Sequence, residues 1–165
     1  KPQENLSTME WQHATADYKR VLEKGMVGII EAARLSYFAY NGEKAEFAKA
    51  LINVGEAIIE WAQQTSRKVR EFANEVTNEQ ARKRLTKLAD TLLKVPKHPA
   101  ESFYEAVQSL WFGFAFLRLG GNWPGIGCID RLLGPYLERD LAAGVITMDE
   151  AREVLASMFI KGCEW

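Results

Sequence analysis

The chain has 165 residues, enough for one domain with a real core, and 47% of them are hydrophobic against 26% charged. Lys and Arg total 21 against 22 acids, a net charge of -1, which gives no general attraction to nucleic acid or to a membrane surface. Two cysteines, Cys128 and Cys163, cannot build a disulfide framework, and two histidines, His13 and His98, cannot build a multi-histidine metal centre. No signal-peptide-like apolar segment opens the sequence and no apolar run reaches membrane-span length, so the expected setting is the reduced cytoplasm. The chain starts on Lys1 and stops at Trp165, directly after an apolar helical face, and both ends read as cuts in a longer polypeptide.

In chain order, the first helix is predicted from Asp17 to about Tyr40, on Leu22, Met26, Ile29, Ala33 and Tyr37, with Asp17 or Thr15 as its cap. Asn41-Gly42 supplies its stop. The second carries Phe47, Leu51, Val54, Ile58, Trp61, Thr65, Val69, Phe72 and Val76 in steps of three and four, which predicts one apolar face. Roughly 30 residues at about 1.5 Å each make a rod about 45 Å long, which suits a large scaffold. The third runs from Gln80 to Lys94 on Leu85, Leu88 and Leu92, and stops before Pro96. The basic stretch from Arg67 to Lys87 is interleaved with Glu71, Glu75 and Glu79, so it reads as a solvated face.

The next helix is predicted to take Pro99 in its first turn and to run to about Leu119 on Phe103, Val107, Leu110, Phe114 and Leu117. Trp111, Phe112 and Phe116 make it apolar nearly all round, so it belongs in a deep core. A short bundle cannot hide it alone, which predicts exposed apolar surface and self-association. Gly120 to Gly127 holds five Gly or Pro residues in eight and must be a loop or short strand. Thr147 and Glu150 form a capping-box pair opening the last helix. The chain is expected to be all-α.

No phosphate loop, zinc-protease helix, dinucleotide fingerprint or nucleophile elbow occurs. His98, before Pro99, reads as a surface capping residue. His13 reads either as part of the segment that leads into the first helix or as a pocket residue exchanging a proton near neutral pH. Cys128, two residues before Asp130, reads as a small side chain filling a buried loop, or as a sulfur reagent beside an acid.

Three blocks resemble the glycyl radical enzymes of the pyruvate formate-lyase-like family. The first is Trp11-Gln-His13 with Asp17-Tyr-Lys-Arg-Val-Leu-Glu-Lys-Gly-Met-Val-Gly-Ile29. The most specific is Val95-Pro-Lys-His-Pro-Ala-Glu-Ser-Phe-Tyr-Glu-Ala-Val-Gln-Ser-Leu-Trp-Phe112. The third is Gly127-Cys-Ile-Asp-Arg-Leu-Leu-Gly-Pro-Tyr136, followed by Asp140, Gly144, Thr147 and Ala151. The resemblance covers nearly the whole chain. It implies that residues 1–165 are a partial pyruvate formate-lyase-like domain, the helical N-terminal portion of a larger α/β barrel.

The implied function is radical C–C or C–X bond cleavage, as in a formate acetyltransferase-like lyase or a dehydratase acting on a small polar metabolite. The alternative is a non-catalytic helical interaction module on the same scaffold. The resemblance further implies a protein-based glycyl radical, installed by a radical-SAM activating enzyme, with no bound cofactor or metal. Its partners would be a small-molecule substrate, the activating enzyme and further copies of itself, with no nucleic acid and no membrane. Neither the family's Arg-Val-x-Gly-Tyr segment nor its thiyl-cysteine loop occurs here, so no catalytic residue is expected in these 165 residues and the chain alone should be inactive. Cys128 stands where the family carries arginine, upstream of the catalytic loop. Carried over, the pocket residues are His13, Asn122 and Trp123, with a turn role open for Asn122 and a packing role for Trp123.

Overall fold

The computed structural model describes residues 15–121 and 124–163. Six helices follow in order: α1 (Tyr18–Ala39), α2 (Glu43–Glu75), α3 (Glu79–Lys94), α4 (Phe103–Leu119), α5 (Ile129–Ala142) and α6 (Met148–Gly162). The described residues form an all-α fold. Short turns fold α1, α2 and α3 back on one another, and α4 crosses this layer with α5 and α6 on its other side. Two cores result. One gathers Tyr18, Leu22, Val95, Phe103, Leu110, Leu133, Ala151 and Met158; the other gathers Val21, Met26, Ile58, Ala62, Leu92 and Phe112.

Local chemistry fixes the helix starts. Asp17 caps α1 by accepting from the Arg20 N–H, Asn78 caps α3 through Ala81, and Thr147 with Glu150 makes a complete capping box on α6. α4 begins later than the sequence suggests. Ser102 is its cap, accepting from the Glu105 N–H, so Pro99 lies outside the first turn and His98 caps nothing. Instead the stretch 95–100 is an irregular strap between α3 and α4.

α5 lies in a stretch for which the sequence analysis predicts no helix. Pro135 sits inside it, forfeiting one backbone bond. What holds α5 in place is its buried face. Leu133 enters the first core, and Asp140, two turns on and 4% exposed, accepts from the Phe103 N–H at 2.6 Å. That carboxylate sits at the N-terminus of α4, where unpaired N–H groups favour negative charge. Arg139 completes the clamp by bonding Asp140 and the Glu101 carbonyl.

The buried face of α2 also differs from the expected one. Its buried positions are Ala48, Gly55, Ile58, Ala62, Ser66 and Ala73, while Phe47 is 67% exposed and Leu51, Val54 and Phe72 are exposed as well. The two stripes differ by about one residue, or about 100° around the axis. Small residues win because α2 is gripped on two sides, by α1 and α3. A Cβ at Gly55 would lie 2.8 Å from Ile30 Cγ1, and Ser66 donates its hydroxyl to the Ala89 carbonyl at 2.7 Å. Of the large stripe, Ile58 is buried and Trp61, Thr65, Val69 and Val76 are half-buried, Trp61 stacking on Phe112 of α4 with centroids 4.1 Å apart.

α4 is the central helix, as its composition requires. Phe112 is buried, and Trp111, Phe114 and Phe116 are half-buried against the cores. Apart from Leu119 at the end of α4, the exposed apolar surface lies mostly elsewhere, on the far end of α1 (Leu35, Phe38, Tyr40), on α2, and on α6 (Phe159, Ile160).

Candidate functional site

Thr15 and Gly125 form an isolated parallel β-bridge, which joins the segment leading into α1 to the Gly-rich loop leading into α5. The inner side is apolar: Ala16 and Ile126 both pack against the first core. The outer side is a Thr laid over two glycines. A Cβ on Gly125 would lie 2.5 Å from Thr15 Oγ1, and one on Gly127 would lie 3.4 Å from Thr15 Cγ2. Gly127 also has φ +80, a conformation that suits glycine. The loop can lie this close to Thr15 only because those positions lack side chains.

Tyr18, at the start of α1, is 2% exposed, with its ring against Gly113 of α4. Its hydroxyl has no hydrogen-bond partner among the described residues, and burial pushes its pKa up to about 12. At neutral pH it is a neutral phenol. Cys128 is the cap position of α5, makes no side-chain capping bond, and is exposed, so it does not fill a buried loop; Cys163 is exposed as well.

A second junction joins α1 to the strap. α1 is broken at Gly25, with φ +64, and the strap after α3 enters the break. The Met26 N–H donates to the Pro96 carbonyl at 2.9 Å, the Val27 N–H to the Lys97 carbonyl at 3.1 Å, and the Ala100 N–H to the Leu22 carbonyl at 2.9 Å. A Cβ at Gly25 would lie 2.5 Å from the Lys97 carbonyl oxygen. Lys94 bridges the strap to α4 by donating to Glu101 at 2.6 Å and Glu105 at 2.9 Å. The bond to Glu101 raises the Lys94 pKa, and Lys94 in turn lowers that of Glu101.

The sequence model of the pyruvate formate lyase-like family matches residues 3–165. The chain belongs to that family. Isethionate sulfite-lyase of Nitratidesulfovibrio vulgaris is 35% identical over 164 residues, covering 93% of this chain and 19% of that protein. Among solved structures, the glycerol-bound B12-independent glycerol dehydratase from Clostridium butyricum superposes with a TM-score of 0.85 at 28% identity, over 92% of this chain and 20% of the other. A glycyl radical enzyme from Archaeoglobus fulgidus gives 0.82 at 29% identity, over 89% and 20%. The chain thus spans about a fifth of the length of these relatives, and corresponds to the helical N-terminal part of pyruvate formate lyase-like glycyl radical enzymes.

Of the three pocket residues that the family resemblance implies, His13, Asn122 and Trp123 all lie outside the described residues. The structure does describe their flanks, and it brings Thr15 and Gly125 together. His98 lies elsewhere, exposed on the strap. No group of three His, Cys, Asp or Glu side chains that could hold a metal ion occurs among the described residues. None of the described helices is long and apolar enough to cross a membrane. Sequence reasoning missed the Gly25 break and the Asp140 clamp. The first had a signal, a glycine pair at 25 and 28 inside an apolar helical pattern; the second pairs residues 37 apart and had none.

Proposed function

We propose that this chain is the helical wall of the substrate chamber in a longer glycyl radical lyase or dehydratase, with His13, Asn122 and Trp123 lining the pocket. Residues 1–165 would form a partial domain, and the radical glycine and thiyl cysteine would come from other parts of the polypeptide. A radical-SAM enzyme would install the glycyl radical, in a cytoplasmic homo-oligomer. The substrate would be a small polar metabolite, the class to which the isethionate and glycerol in the relatives' names belong.

The parallel pairing of Thr15 with Gly125 carries the reading. In the sequence, His13 and Trp123 each stand two residues before a bridged position. Two segments 110 residues apart, from Thr15 to Gly125, are thereby anchored as one unit. His13 would supply or take a proton beside the reacting carbon, and Asn122 would hold a substrate hydroxyl or acid group.

The test is the activated complete enzyme, assayed with isethionate, glycerol, and pyruvate with coenzyme A. On whichever is turned over, His13→Ala should lower kcat by roughly 10²- to 10⁴-fold, the span of general acid–base help, while the glycyl radical signal stays intact. A loss of about tenfold or less would return His13 to a structural role.

A further inference from the structure

We propose that the groove between the second half of α1 and the start of α2 seats an apolar segment of the same polypeptide, from outside residues 1–165. The inference rests on the reading of this chain as a piece of a longer enzyme, and it names a surface through which that piece is joined to the rest.

The groove encloses about 650 Å³. Buried Ala33 and Ala48 form its floor, half-buried Ile29 lies between them and the second core, and Tyr40, Phe47 and Leu51 stand exposed around it. Arg20, Glu43 and Lys44 complete the lining with charges of both signs. The hollow is therefore apolar within and charged at its margin, the pattern of a seat for an amphipathic segment.

The groove continues the second core. Ile29 packs against that core and lines the groove as well. On α2, Leu51 and Ile58 stand two turns apart on one side of the helix. Ile58 is buried in the core, whereas Leu51 is 39% exposed in the groove. What differs between them is cover. Phe112 and Phe116 of α4 close the core around Ile58 and Trp61, and among the described residues no helix does the same beside Leu51. An apolar stripe that leaves a packed core and runs into an open hollow is the mark of an interface.

Length identifies the occupant. This chain covers 19% of the isethionate sulfite-lyase and 20% of the glycerol dehydratase, so about four-fifths of such a protein lies outside it. A segment on the same polypeptide meets the groove at an effective concentration that a separate partner does not match. A second copy fits less well. Two-fold symmetry would set hollow against hollow, hiding the walls and filling neither floor.

The test is made in the complete, activated enzyme. Phe47→Ser with Leu51→Ser strips the walls, and Ala32→Trp, at an exposed position on the lining, fills the hollow. Lys49→Ser with Ala50→Ser is the control: both residues are exposed on α2 outside the groove, and the loss of helix propensity is at least as large. Relative to that control, each groove variant should lower the thermal midpoint by about 3 °C or more, the first through lost burial and the second through overpacking. The falls should be equal at protein concentrations about tenfold apart, with an unchanged sedimentation coefficient.

Groove variants that melt with the control overturn the proposal, because the groove is then open to solvent. A fall that deepens on dilution, or that comes with a change in oligomeric state, overturns it too and gives the groove to a second copy. The glycyl radical signal and turnover of the same preparations test the enzyme reading separately. A protein that forms no radical yet shows the falls loses the enzyme reading and keeps the seated segment. One that carries the radical while the groove variants stay silent loses the seated segment alone.

Discussion

An alanine at position 25 would carry its Cβ into the backbone of the neighbouring strap, 2.5 Å from the Lys97 carbonyl oxygen and 2.7 Å from the His98 Cα. The left-handed backbone there adds about 1–2 kcal/mol for any residue with a side chain, and backbone atoms cannot swing aside. Gly25→Ala should therefore destabilise the chain by about 3–5 kcal/mol, in the range of severe core disruptions, read as a fall in denaturation midpoint. Gly134 is the control. It is helical, with nothing within 4 Å of an added Cβ. Gly134→Ala should change stability by less than about 1 kcal/mol, the gain in helix propensity being offset by the crowding of a Cβ against the ring of Pro135. Both glycines stand inside a helix, and the positive φ and the strap's arrival from 71 residues away, at Pro96, set Gly25 apart. The proposed pocket residues rest on the family resemblance around Trp11-Gln-His13 and Gly127, not on anything that single residues spell out.

The starts of α1, α3 and α6 follow the sequence closely, because capping chemistry is local: Asp17, Asn78 and Thr147 each bond a backbone N–H three residues on. Helix faces do not. α2 carries two stripes of helical period, one large and one small, and hydropathy favours the large one although the close approach of α1 and α3 selects the small one. The bare stripe gives a prediction. Phe47→Ser with Leu51→Ser should leave the thermal midpoint of the isolated chain nearly unchanged, since both residues are exposed, while weakening its self-association in sedimentation velocity. Unchanged association would place the sticky surface on α6. The capping box of α6 supplies a pH test. The backbone bond to Thr147 lowers the Glu150 pKa below its ordinary 4.5. The bond therefore contributes stability above that value, and the contribution is lost as pH falls through the lower folded value. Lys94 runs the other way: its raised pKa adds stability that is full below 10.5 and fades as pH climbs past the folded value. Glu150→Gln should flatten the acid limb of a stability–pH curve and leave the alkaline limb alone.

At the scale of the molecule, the all-α architecture was readable from periodicity, whereas the arrangement of two cores around α4 was not. It depends on contacts such as Asp140 with Phe103, which no local pattern announces. The chain alone should give no glycine-type doublet in electron paramagnetic resonance after attempted activation, because it has no Arg-Val-x-Gly-Tyr segment; a doublet would overturn the family alignment. The break in α1 has a mechanical side. Leu22 belongs to one core and Met26 to the other, with Gly25 between them. A glycine at such a place is ordinarily a hinge. Here the bonds from Met26, Val27 and Ala100 cross the gap, and all three must open before the two halves can turn. The joint behaves as a latched coupling: with these bonds closed, a push on α3 is handed through the strap to both halves of α1 rather than absorbed as bending. Those three amides should then exchange with solvent together, in one cooperative opening, and later than the ends of the helices they join.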